Sequence, residues 1–225
     1  MPRNHHSAAR RGGRNDSPGT TETSLSTLTR TAFRDARYVD RALERPLDQV
    51  VFVSDELGYA ADLALAFLGV TETRQSGGCC VVTTERRVSR IKRDTDRVLW
   101  ESRLGVVEVG IDESTRTDPY AETPVYSLSN VGDYASLFLT VDDLVGRFDG
   151  PASLVVHSLD ALLAETSVRT VSRLLTLGQR LDATPQLFTL DSQRCSSDSL
   201  ETIRSTVDAV VRIEHVSGEP LITVE

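Results

Sequence analysis

From Val50 onward the chain alternates short β-rich runs with amphipathic stretches, and this alternation limits the fold more than any other feature of the 225 residues. A parallel strand pair needs a crossover that returns the chain to the same end of the sheet. Strand runs separated by helix-length stretches therefore predict an α/β domain with a mainly parallel central sheet. The runs are Val50-Val-Phe-Val53, Cys79-Cys-Val-Val-Thr83, Val106-Val-Glu-Val109, Ser153-Leu-Val-Val-His157, Gln186-Leu-Phe-Thr-Leu190 and Ala209-Val-Val-Arg-Ile213. Helices are predicted from about Leu57 to Leu68, through the charged stretch ending at Arg97, from Ser136 to Phe148, from Ser167 to Leu181 and from Leu200 to Thr206. The third of these carries the cleanest signal, with Leu137, Phe138, Val141, Leu144, Val145 and Phe148 on one helical face. Asp142 and Asp143 fall on its exposed side. Asp112 to Asn130, with Pro119 and Pro124, reads as a long irregular connection in which Val125–Leu128 forms a short strand. A last run, Leu221–Val224, follows the turn Ser217-Gly-Glu-Pro220 and predicts a β-hairpin closing one edge of the sheet.

The amino-terminal part is different. Met1 to Thr23 is rich in Arg, Ser, Thr, Gly and Asn and almost devoid of apolar side chains, so burial cannot offset its ordering entropy. The expected organisation is a disordered basic tail over 1–24 and a single domain over 25–225. Leu28, Ala32, Ala36, Val39 and Leu43 recur at helical spacing until Pro46, which predicts a helix docked on the core. The tail carries Arg3, Arg10, Arg11 and Arg14 with His5 and His6, and is the one segment expected to touch nucleic acid, weakly. The formal net charge of −8 argues against broader nucleic-acid affinity, because neutralising phosphates needs a basic surface. Cys79, Cys80 and Cys195 have neither an even count nor metal-ligand spacing, so no disulfide framework and no metal site is expected. Cys79 and Cys80 are neighbours in a strand run and should face opposite sides of the sheet. No apolar run approaches the length of a membrane span, and a cytoplasmic location is expected. One lysine against 24 arginines, excess aspartate and a single methionine fit a GC-rich genome, either a salt-loving archaeon or a GC-rich bacterium.

The segment Leu154-Val-Val-His-Ser-Leu-Asp-Ala-Leu-Leu163 resembles the Walker B strand of the KaiC branch of the RecA-like superfamily, where four apolar residues lead to Asp-Ser-Leu. A helix follows, then Pro185-Gln-Leu-Phe-Thr-Leu-Asp191, a polar gap, and Val207-Asp-Ala-Val-Val-Arg-Ile213, which is similar to that family's Ala-Asp-x-Val-Ile-x-Leu strand. The resemblance covers roughly Leu47 to Glu225 and rests on the order of these patterns. It implies a RecA-like three-layer sandwich with a nucleotide site at the ends of the strands.

The residues that do the family's chemistry are where the resemblance fails. Its phosphate loop needs Gly-x-x-x-x-Gly-Lys-Ser/Thr, but the only lysine here, Lys92, lies in Arg90-Ile-Lys-Arg-Asp94, far from such a loop. The corresponding segment is Ser54-Asp-Glu-Leu-Gly-Tyr-Ala-Ala-Asp62, with one glycine, Gly58, and two carboxylates, Asp55 and Glu56, that would repel a triphosphate. Ser54, Asp55, Gly58 and Asp62 are thus degenerate phosphate-loop positions, and Ser54 or Asp55 is placed to cap the following helix internally. His157 stands where the Walker B aspartate would hold a magnesium-bound water, and reads as a hydrogen-bonded core histidine. Ser158 matches the pattern. Asp160 comes three residues late, and is expected to be exposed or to cap a helix. Glu85 occupies the place of the family's catalytic glutamate, although beside Arg86 and Arg87 it reads as part of a solvated turn.

No other catalytic set emerges: there is no Gly-x-Ser-x-Gly and no His-Glu-x-x-His, and Tyr120, Tyr126, Tyr134 and Trp100 are too scattered for a stacking platform. The functional expectation is a catalytically inactive RecA/KaiC-like domain, not an enzyme, needing no cofactor or metal, that serves as a regulatory or scaffolding partner of another protein or of its own copies. The alternatives are an unorthodox nucleotide-binding protein or ATPase using Asp160, Glu85 and Arg86, and a transcription regulator that meets DNA through the tail.

Overall fold

The computed structural model describes residues 22–43, 47–72, 77–84, 103–110, 123–130 and 132–225, the side chains of 22–29 and 72 excepted. Among them, eight strands form one sheet. They are β1 (Gln49–Ser54), β2 (Gly78–Thr83), β3 (Arg103–Val109), β4 (Val125–Leu128), β5 (Ala152–His157), β6 (Ala183–Asp191), β7 (Ala209–Val216) and β8 (Glu219–Val224). Their order across the sheet is β4-β3-β2-β5-β6-β1-β7-β8. All neighbours run parallel except β7 and β8. β1, β2 and β5 are buried at every position, as strands covered on both faces must be, which is why they read as continuous apolar runs.

Six helices are described: α1 (Glu22–Ala42), α2 (Leu57–Glu72), α3 (Tyr134–Val145), α4 (Leu159–Glu165), α5 (Val168–Gly178) and α6 (Ser197–Arg204). Two separate cores divide them. Alternate strand residues such as Phe52, Cys79, Val81, Val155 and Leu187 pack under α2 and α1. Their neighbours Val53, Cys80, Val82, Val156 and Phe188 pack under α3 to α6. The result is a three-layer α/β sandwich, and Cys79 and Cys80 do face opposite layers. Burial pushes the Cys80 thiol up to about 12, so it behaves as a small apolar side chain.

Helix α2 is buried nearly all round, from Tyr59 to Leu68 with Asp62 as the partial exception, because the sheet lies on one side and α1 on the other. Ala32, Ala36 and Val39 form the contact stripe of α1. On the opposite face, two strand glycines admit α3 to the sheet. A Cβ on Gly78 would come within 2.0 Å of the Phe148 ring, and one on Gly105 within 2.7 Å of Leu144.

Several sequence expectations need correction. Helix α1 begins at Glu22, six residues before Leu28, so residues 22–24 are helical. Once a helix is nucleated, adding a turn costs little. The rest of the expected tail lies outside the described residues, as does the charged stretch ending at Arg97. Helix α4 was not anticipated, since seven residues are too few to show a period. The hairpin turn is only Ser217-Gly218, both at positive φ (56° and 82°), and Glu219 and Pro220 belong to β8. That is the backbone a two-residue turn demands. Val210 and Glu225 exchange both backbone hydrogen bonds, so Pro220, Ile222 and Val224 turn their backbone groups toward the open edge. Pro220 withholds a donor there, which discourages further strand pairing. Among the described residues no helix is long and apolar enough to cross a membrane.

Candidate functional site

In an open α/β sheet, ligands bind beyond the carboxyl ends of the strands, where adjacent strands send their crossovers to opposite faces. Here that place lies between β1 and β6. The chain leaves β1 through α2 on one face, and leaves β6 through α6 on the other. Ser54, Asp55 and Glu56 stand at the end of β1, His157, Ser158 and Asp160 just beyond β5, and Asp191 at the end of β6.

A row of buried polar side chains runs beneath the amino end of α2. Thr83, His157, Thr189 and Ser54 follow Val81, Val155, Leu187 and Phe52 by two residues and so point to the same face of four adjacent strands. None is more than 4 % exposed. His157 Nδ1 lies 2.8 Å from Thr189 Oγ1, the hydrogen-bonded core histidine that its place in an apolar run suggested. Thr84 joins the turns after β2 and β5: its N–H donates to the His157 carbonyl at 2.8 Å, and its Oγ1 accepts from the Ser158 N–H at 3.2 Å. The His157–Ser158 peptide bond is cis. The Ser158 hydroxyl is buried and has no hydrogen-bond partner among the described residues.

Asp160 is neither exposed nor a helix cap, contrary to expectation. Ser158 holds the N-cap position of α4, and Asp160, in its first turn, is buried against β6. Its Oδ1 accepts the Asp191 N–H at 3.3 Å and its Oδ2 pairs with Arg194 Nη1 at 3.3 Å. Arg194 also reaches Asp191 Oδ2 through Nε at 3.3 Å. Arg194 belongs to the turn after β6, whose start is fixed by the Asp191 carboxylate accepting the Gln193 N–H.

The connection between β1 and α2 is two residues long, Asp55 and Glu56. Ser54 Oγ accepts the Glu56 N–H at 3.0 Å, so a side chain of the chain itself takes up an amide at the start of the helix. Asp55 Oδ1 lies 2.9 Å from His215 Nδ1, and Glu56 Oε2 lies 3.8 Å from His215 Nε2. The hydrogen bond to His215 holds the Asp55 carboxyl below its ordinary pKa. Gly58 is the second residue of α2, and Asp62 lies a turn farther along, so neither belongs to the connection itself. Tyr59 closes the arrangement. Its hydroxyl donates to Asp35 Oδ2 at 2.6 Å, and burial, reinforced by that carboxylate, drives the phenol pKa far up, leaving Tyr59 a neutral donor. Its ring meets His215 edge-on, 5.5 Å between centroids.

Of the residues singled out by sequence, the structure thus gathers Ser54, Asp55, His157, Ser158 and Asp160 at the carboxyl end of the sheet; Glu85 lies outside the described residues. Sequence reasoning missed Asp35, Tyr59, Thr189, Arg194 and His215. Asp35 alone left a trace, a carboxylate beside the apolar stripe of Ala32, Ala36 and Val39. Among the described residues no group of three or more His, Cys, Asp or Glu side chains is placed to hold a metal ion.

No family model and no curated protein sequence matches the chain. Solved structures do. A KaiC-like protein from the hyperthermophilic archaeon Pyrococcus horikoshii superposes with a TM-score of 0.50 at 13% identity, over 79% of this chain and 76% of that one. The flagellar accessory protein FlaH from Methanocaldococcus jannaschii gives a TM-score of 0.48 at 17% identity, over 80% of this chain and 78% of that one. At such identities the likeness is one of architecture, and together with the sheet order it identifies the fold of this chain as RecA/KaiC-like.

Proposed function

We propose that this RecA/KaiC-like chain is a catalytically inactive regulatory or scaffolding protein whose nucleotide site has been given over to its own side chains. The observation that supports this reading best is the two-residue acidic connection between β1 and α2. A phosphate-binding loop needs enough backbone to turn several amides toward one anion, with a cation nearby. Here Ser54 Oγ takes the Glu56 amide, Asp55 is held by His215, and Asp160 and Asp191 add carboxylates on the neighbouring strand ends. The one lysine of the chain, Lys92, is distant in sequence from this connection. An acidic, lysine-poor composition supports a salt-loving archaeal cell as the setting for such a protein.

ATP titration by calorimetry, with and without magnesium and in both low and molar salt, tests the reading. No heat is expected up to about millimolar nucleotide, a range that covers weak sites. Recovery of a protein partner from native lysate, or self-association in solution, is expected alongside. A second reading, an unorthodox nucleotide-binding protein, is favoured by one observation: Asp160 is buried at the strand ends instead of facing solvent. Saturable ATP binding, with turnover abolished by Glu85→Gln, would put that second reading first.

A further inference from the structure

Elements from opposite ends of the chain meet at one tyrosine. Tyr59 donates its hydroxyl to Asp35 of α1 and presents its ring to His215 of β7. Asp35 is held in turn by Arg34 Nε at 2.9 Å, and His215 by Asp55 at 2.9 Å. The pairing of β7 with β1 ends at Ile213, opposite Ser54. Beyond that point, among the described residues, β7 and β8 pair only with each other, to Val216 opposite Glu219. His215 lies in this overhang and reaches back over the amino end of α2. Helix α1 is similarly placed: it packs through the small side chains Ala32, Ala36 and Val39, and its buried polar anchor is Asp35.

We propose that α1 and the β7–β8 overhang form a single clasp over the amino end of α2, pinned by Tyr59, so that lifting either element loosens the other. A buried phenol that loses its acceptor must turn toward water to find another. The hydroxyl and ring of tyrosine are one rigid plate, so that turn carries the ring off His215. A protein that captured α1 would thereby free the Asp55–Glu56 connection without touching it. The clasp operates whether or not nucleotide binds, and so stands apart from the reading above.

Backbone hydrogen exchange on the full chain tests it, comparing α1, the overhang from Glu214 to Leu221, and strands β5 and β6 as an internal control. Asp35→Ala is expected to speed exchange roughly tenfold in the overhang as well as in α1, the scale of one buried hydrogen bond. His215→Ala should do the same in α1. In a Tyr59→Phe background, Asp35→Ala should no longer change the overhang. Acceleration confined to α1 would overturn the proposal. Coupling that survives Tyr59→Phe would overturn it as well, assigning the effect to direct packing of α1 on β8. Equal acceleration in β5 and β6 would mean general destabilisation, also against the clasp; the milder Asp35→Asn guards against reaching that result by misfolding.

Discussion

A carboxylate with 1% of its side chain exposed has to be compensated by donors, and Asp160 is compensated by the Asp191 amide and the Arg194 guanidinium. The two contributions differ in kind. Arg194 is 61% exposed and water shares its work, whereas the Asp191 amide has no substitute. Asp160→Ala should therefore cost about 1–3 kcal/mol of stability in urea denaturation. Arg194→Ala should cost less, about 0–1 kcal/mol as for other exposed ion pairs; equal losses would refute this division. Asp55 makes a pH-dependent contribution whose sign follows from its depressed pKa. A carboxyl lowered by folding stabilises the fold above its unfolded value, about 3.9, and ceases to as pH falls through the folded value. The stability difference between the wild type and Asp55→Asn should thus be fully present above that unfolded value and shrink as pH falls below it, small throughout because the group faces solvent. A difference that grew on acidification would contradict the pairing with His215.

At the scale of elements, the opposite end of the sheet is fixed by a buried pair of amides. Gln49 of β1 and Gln186 of β6 stand side by side in register; Gln49 Nε2 donates to Gln186 Oε1 at 2.9 Å and to the Leu175 carbonyl at 2.8 Å. Gln186 Nε2 donates to the Gly178 and Ala183 carbonyls at 2.6 and 3.0 Å. Two of the last carbonyls of α5 thus accept a side-chain donor from the sheet in addition to a backbone N–H, that of Gln179 for Leu175 and that of Leu181 for Gly178. Gly178 leaves the room this requires: a Cβ there would lie 2.8 Å from Gln186 Oε1 and 3.2 Å from Gln49 Nε2. Gly178→Ala should therefore destabilise by about 1–3 kcal/mol, despite alanine's better helix propensity, because it displaces bonded amides. Thermal unfolding that showed no loss would mean the pair can shift freely.

For the molecule as a whole, both cores hang from one sheet, so neither should melt alone. Cys79 and Cys80 are natural probes of the two, buried on opposite faces of β2. In proteins with Cys195 and one of this pair replaced by Ser, the remaining thiol should become reactive at the same denaturant concentration whichever face it reports. Separated midpoints would mean that the layers unfold independently. How much of this was legible beforehand depends on the range of the forces involved. The fully buried runs at Val50–Val53 and Ser153–His157, the amphipathic period of α3 and the order of strands and helices are local patterns, and the amino-acid sequence by itself determined the three-layer α/β architecture through them. It also determined the chemical character of the β1–α2 connection, since Asp55 and Glu56 are acidic wherever they lie. Which residues surround that connection was decided only by the tertiary structure. Asp35, Tyr59 and His215 are separated by 24 and by about 160 positions from their partners, and Asp160 by 34 from Arg194. Such pairs leave no periodic trace, because a hydrogen bond is specified by the meeting of two groups in space and not by the spacing of either along the chain.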